Sequence, residues 1–217
     1  MMKDVSPNEQ LRSFVTKTPA KKRRIGLLIS ALNAGADPRL AILKGEPALI
    51  TAIRNGHDAD AIELLISRGA DPDTKAISTR HTYRLGEGET ALAIAACSVY
   101  RGNAEQTVRL LIHSGANINL ADSRGSTALD HILAEMVHCR ATYEWTNSTA
   151  RGAMLGRINW FYALVGPLLR ISEMLLTRGA VPRTMSVEDA NLLFTSIVEF
   201  WNDCVRWQME NSSSDQA

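Results

Sequence analysis

The chain has 217 residues, a formal net charge of +1, 22% charged residues and 45% hydrophobic residues. That is an ordinary globular composition, large enough for a sizeable core, and it lacks the strong positive field expected of a dedicated nucleic-acid-binding domain. The three cysteines, Cys97, Cys139 and Cys204, are odd in number and widely spaced, so they spell neither a disulfide framework nor a metal-ligand pair and fit a reducing compartment.

Residues 1–17 contain no apolar h-region, so no secretory leader is expected. Ser6-Pro7-Asn8-Glu9 reads as a capping box with proline in the first turn, and predicts a helix to about Val15. Thr18-Pro19 restarts a second helix. It begins basic, with Lys21, Lys22, Arg23 and Arg24, then turns apolar at Ile25, Leu27, Leu28, Ala31 and Leu32, and ends at Gly35. Residues 1–35 therefore read as an N-terminal capping unit. Cations at a helix N-terminus oppose the helix dipole, so the basic run does not serve helix stability. A solvated face, a nuclear-import signal and a patch for an acidic partner all remain open for it.

From residue 36 onward the chain repeats itself. Gly45-Glu46-Pro47-Ala48-Leu49, Gly88-Glu89-Thr90-Ala91-Leu92 and Gly125-Ser126-Thr127-Ala128-Leu129 each open a short helical pattern. Each is followed by a second helical pattern ending in Gly-Ala, at Gly69-Ala70, Gly115-Ala116 and Gly179-Ala180; Gly35-Ala36 is an earlier copy of the same ending. Repetition at this period means stacked units, because no single unit can bury its apolar face alone. The apolar blocks Ile62, Leu64, Leu65, Ile66 and Val108, Leu110, Leu111, Ile112 are broad enough for a helix held between neighbours. The glycines should take positive φ and end those helices. Thr90 and Thr127 should cap the first helices through their hydroxyls, and Pro47 offers no such oxygen.

These residues resemble the ankyrin repeat, with its G-x-T-P-L-H-x-A-A opening, internal G-H and V-x-x-L-L-x-x-G-A-x-x-N ending. Gly56-His57 matches the internal G-H, Ala52, Ala95 and Ala96 match the small residues between helices, and Asn119 matches the closing Asn. The T-P pair is replaced by Pro47-Ala48, Thr90-Ala91 and Thr127-Ala128, and the family histidine by Ile50, Ala93 and Asp130; its loss predicts looser fingers. The resemblance covers roughly residues 25–183. It implies an all-α solenoid of about four stacked helix-turn-helix units over residues 36–185, closed by N- and C-terminal capping helices. It also implies a non-catalytic module that takes a protein partner on its finger tips and inner helices.

Two segments break the period. Residues 74–88 form a long finger with Arg80, His81, Tyr83 and Arg84, either a recognition loop or a solvated insertion. Thr127 lies 52 residues before Gly179, whereas Thr90 lies 25 before Gly115, so an insertion of helix or loop is expected at about 139–166. It concentrates Tyr143, Trp145, Trp160, Phe161 and Tyr162 with Arg140, Arg151 and Arg157, residue types favoured at interface centres. Interface and added core both remain open, with Trp145 expected outside and Trp160 inside, and Gly166-Pro167 is expected to restart the second helix. A period of 3.6 from Ala190 to Val205 predicts a capping helix at 186–210. Residues 211–217 are polar and expected to be disordered.

No catalytic constellation emerges. His57, His81, His113, His131 and His138 lack metal-ligand spacing, no glycine-rich phosphate loop precedes a helix, and Cys97 reads as a small core residue. The longest apolar stretch, residues 158–169, is too short to span a bilayer. The expected protein is a cytoplasmic monomer without cofactor, metal or membrane attachment that binds a protein as adaptor, inhibitor or host-directed effector. Its contacts are expected at Arg54, Asn55, Ser98, Asp122, Arg124, the long finger, Tyr143 and Trp145, and nucleic acid is not expected. The alternative is a nuclear or nucleic-acid-associated regulator working through Lys21, Lys22, Arg23 and Arg24.

Overall fold

The computed structural model describes residues 5–17, 25–43, 45–77, 88–149 and 154–212. The capping unit is the pair α1 (Pro7–Thr16) and α2 (Ile25–Asn33). Three repeat pairs follow: α3 (Ala48–Arg54) with α4 (Ala59–Ser67), α5 (Ala91–Cys97) with α6 (Ala104–His113), and α7 (Ala128–Thr149) with α8 (Met154–Leu176). The helix α9 (Val187–Ser212) closes the end. The inner helices α1, α3, α5 and α7 pack in chain order, as do the outer helices α2, α4, α6 and α8, and α9 lies against α7 and α8. The described helices thus form four stacked pairs, the first of them the cap. A short hairpin, β1 (Ala41–Leu43) against β2 (Glu46–Pro47), forms the first finger.

Packing, not local propensity, holds the short inner helices, since seven residues are too few for an isolated helix. In α5 every residue from Ala91 to Ala96 is buried. Leu49, Ile50, Leu92, Ile94, Leu129 and Ile132 line the inner row and Ile62, Leu65, Val108, Leu111, Ile171 and Leu175 the outer one. Each such side chain contributes about 1.5–3 kcal/mol on burial. Alanines 52, 95 and 96 are fully covered and let the inner helices approach.

The punctuation is regular. All four Gly-Ala endings close with the same pair of hydrogen bonds: in the second, the Gly69 N–H donates to Ile66 O at 2.9 Å and the Ala70 N–H to Leu65 O at 3.0 Å. Gly69 has φ +103°, which only glycine adopts without penalty. Thr90 Oγ1 accepts from the Ala93 N–H at 3.1 Å, whereas Pro47 caps α3 with no side-chain bond.

The last repeat differs from expectation. α8 does not restart at Gly166-Pro167; it runs through Pro167 without ending. The glycine serves tertiary packing instead, because a Cβ there would stand 3.3 Å from the Trp201 ring of α9. The extra residues lengthen both helices of the pair rather than forming a separate body. α9 runs to Ser212, two residues past the expected end of the capping helix.

The unit edges are tied rather than loose. Asp73 Oδ1 accepts from the Asn117 N–H at 2.7 Å, and Asn119 Oδ1 from the Val181 N–H at 2.9 Å. Asx side chains on the turns thus link neighbouring units at these two junctions. His57 is buried as a structural group, its ring 4.6 Å from that of Phe14 and its Nε2 3.3 Å from Val15 O.

Candidate functional site

The second residue before each of the inner helices α3, α5 and α7 is Glu46, Glu89 and Ser126 in turn. Because the units stack in register, these positions line up at the finger bases, and a row of charges runs across three units there. Arg54, in the last turn of α3, donates from Nη1 to Glu46 Oε1 at 2.7 Å, and its Nη2 stands 3.7 Å from Glu89 Oε2. In the next turn, Asp122 accepts from the Arg124 N–H (2.7 Å) and the Ser126 N–H (2.9 Å). The Asp122 carboxylate also lies 3.0 Å from His131 Nε2 and 3.6 Å from Arg124 Nη2.

Burial acts differently on the members of this row. Glu89 is fully covered, and among the described residues neither of its carboxylate oxygens meets a hydrogen-bond donor. Desolvation therefore raises its pKa to about 7, against the pull of Arg54 and Arg124. Burial also pushes the Asp122 carboxyl up, but the N–H groups of Ser126 and Arg124 and the His131 ring outweigh it, and the net shift is downward. Burial holds His131 below its ordinary value despite Asp122.

The row also holds the root of the long finger. The Ile77 N–H donates to Glu46 Oε2 at 3.3 Å, the Ala76 N–H to Glu89 O at 2.7 Å and the Gly88 N–H to Ala76 O at 2.9 Å. Gly88, at φ +77°, sits so close to the next turn that a Cβ would collide with the Ser123 side chain.

Of the residues singled out from sequence, Arg54, Asp122 and Arg124 converge here. Arg124 offers 53% of its side chain to solvent and Arg54 15%. Asn55 caps α3 and donates to Val15 O at 2.6 Å, and Ser98 caps α5 and donates to Ile94 O at 2.6 Å. Arg80, His81, Tyr83 and Arg84, and the basic residues Lys21, Lys22, Arg23 and Arg24, lie outside the described residues. Tyr143 and Trp145 fall on α7 and Trp160, Phe161 and Tyr162 on α8, with side chains outside the described set. Sequence reasoning missed Glu46, Glu89 and His131. The first two share a register position, two places before the helix start in two of the three repeats, and that recurrence was the signal in the sequence.

Among the described residues no cluster of His, Cys, Asp and Glu could hold a metal ion, and no helix is long and apolar enough to cross a membrane.

Short inner and outer helices stacked in register, with glycine-ended outer helices and finger turns along one edge, define a helical repeat solenoid. A family model described as ankyrin repeats (3 copies) matches residues 23–122 and 49–141. A curated relative, an ankyrin repeat-containing protein of Treponema pallidum (strain Nichols), is 36% identical over 113 residues. That alignment covers 49% of this chain and 34% of the relative, so the chain spans about a third of the relative's length. The chain belongs to the ankyrin-repeat family, whose repeats are generally protein-protein interaction modules and typically non-catalytic.

Proposed function

We propose that this chain is a non-catalytic, monomeric module that holds a protein partner along the finger edge of its inner helices. The contacts are Arg54, Asn55, Ser98, Asp122 and Arg124, the long finger with Arg80, His81, Tyr83 and Arg84, and the α7 positions Tyr143 and Trp145. The observation that carries this reading is the charged row. Arg54, from the first repeat, and Asp122 and Arg124, from the turn before the third, flank Glu89 beside the root of the longest finger, and about half of the Arg124 side chain is exposed. A rigid scaffold with a functional loop edge is how repeat solenoids present a binding surface.

The test is cross-linking and affinity capture with the intact chain beside two variants, Arg124→Glu and Trp145→Ala. Trp145→Ala is expected to keep its melting temperature and Arg124→Glu to stay folded at a lower one; both should weaken partner binding, Trp145→Ala by about 2 kcal/mol or more. Partner capture unchanged in both variants and in a finger-shortened chain would overturn the reading. The nucleic-acid alternative rests on Lys21, Lys22, Arg23 and Arg24, which lie outside the described residues. Among the described residues, Arg140 directs its guanidinium to Ser196 on α9. No sequence-specific binding to DNA or RNA is expected at physiological salt.

A further inference from the structure

Among the described residues, Glu89 is the buried carboxylate of the row that meets no donor within hydrogen-bond distance. We infer that its carboxyl is a proton-operated selector at the root of the long finger. With the proton on, Arg54 stays with Glu46; with the proton off, Arg54 is shared between Glu46 and Glu89, and the finger root shifts with it.

The geometry supplies each part. One guanidinium faces two carboxylates, at 2.7 Å from Glu46 Oε1 and 3.7 Å from Glu89 Oε2. The first contact is a formed charge-assisted hydrogen bond. The second is an ångström too long, so a small rotation of Arg54 converts one arrangement into the other. Both carboxylate residues also hold the finger. Glu46 uses its second oxygen on the Ile77 N–H, and the Glu89 backbone accepts from Ala76, which in turn accepts from Gly88. A change in what Arg54 bonds is therefore transmitted to both ends of the finger.

The remaining charges set the balance. Arg54 comes from α3 and Glu46 from the first finger base, while Lys75, its Nζ on Ala121 O, flanks the root. Asp122 and Arg124 come from the turn before α7, and His131 from α7 itself. Asp122 disfavours a charge on Glu89, and Arg54 and Arg124 favour it. Full burial adds a desolvation cost that brings the two forms close to balance around neutrality. Because Glu89 is covered, no partner group needs to touch it; the signal is the proton. This inference concerns the finger root and stands apart from whether the finger binds a partner.

The experiment is an NMR pH titration of the full chain from about pH 5 to 9. It follows the Glu89 side-chain carboxyl carbon, the Arg54 Nε–H and the amides of Ile77 and Gly88. A shared midpoint near neutrality is expected for all four. Glu89→Gln should remove the midpoint from Arg54, Ile77 and Gly88 and leave them near the wild-type acid-side positions. A carboxyl titrating among the ordinary glutamates, or a Glu89 titration that leaves Arg54 unmoved, would overturn the inference. So would a midpoint that persists in Glu89→Gln, since it would then belong to a histidine. If the variant fails to fold, the wild-type titration decides alone.

Discussion

Two buried carboxylates near the starts of inner helices meet opposite fates. Glu89, at the junction of the first two repeats, meets no donor within hydrogen-bond distance among the described residues. Asp130, in the first turn of α7, accepts from the Thr127 N–H (2.8 Å) and Oγ1 (2.8 Å). It also accepts from the Arg183 N–H (3.0 Å), the Thr184 N–H (2.9 Å) and Thr184 Oγ1 (2.7 Å). Burial raises both, but the bonds from Thr127 and Thr184 more than offset it at Asp130, whose pKa falls, while that of Glu89 rises to about 7. Donors, not depth, decide whether a buried carboxylate fastens a structure or burdens it. Asp130 fastens the turn that leads into α9. Glu89 leaves the finger root poised.

The largest test of this contrast is Asp130→Ala. It strands donors from two segments at once and should cost about 3–5 kcal/mol in chemical denaturation. Hydrogen exchange at Arg183 and Thr184 should accelerate first. The same carboxylate predicts acid sensitivity. Its folded pKa is lowered, so its contribution is present above the unfolded value of 3.8 and is lost as pH falls through the folded one.

Glu89→Gln should do the reverse. The folded pKa lies above the unfolded value of 4.5, so below about that pH both states hold the proton and nothing is lost. As pH rises towards 7 the unfolded chain gives up its proton first, and wild-type stability falls. Glu89→Gln should therefore be more stable than wild type by roughly 2–3 kcal/mol at pH 8, and the gain should vanish near pH 4. A gain independent of pH would show that desolvation of the carboxylate is not its source.

Gly88→Ala sharpens the contrast at the finger root. It adds strain at positive φ and a collision with Ser123, whose Cβ and backbone N lie 3.0 and 3.1 Å from the new atom. A loss of about 2 kcal/mol in thermal melting is expected. Gly69→Ala carries strain alone, with nothing within 4 Å of the added Cβ, and should cost about 1 kcal/mol. Equal losses at the two glycines would mean that Ser123 yields without cost.

The stack was legible in the sequence because its signals are local and recur. Gly-Ala after an apolar block ends a helix wherever it stands, and Thr90 caps its helix with no help from afar. The elongated α7 and α8 were not legible as such. Loss of period looks like an interruption, and Gly166-Pro167 looks like a helix start until Trp201 arrives from a distant element to explain the glycine. The charged row was half legible. Arg54, Asp122 and Arg124 sit at loop and helix-end positions of the repeat, and Glu89 recurs in register with Glu46, but nothing in the sequence marks it as buried. Its burial depends on units that stack only after folding.

Arg39 stands where Asp73 and Asn119 stand in later units, and its guanidinium turns back to Asp37 at 3.0 Å instead of reaching the next turn. The Asx links from Asp73 to Asn117 and from Asn119 to Val181 have no counterpart in that side chain. A repeat array loosens where neighbour coupling is least. At that junction Asn55 and His57 reach Val15 O in place of an Asx link, so pulled from its two ends the molecule should part there first once those two side chains are removed.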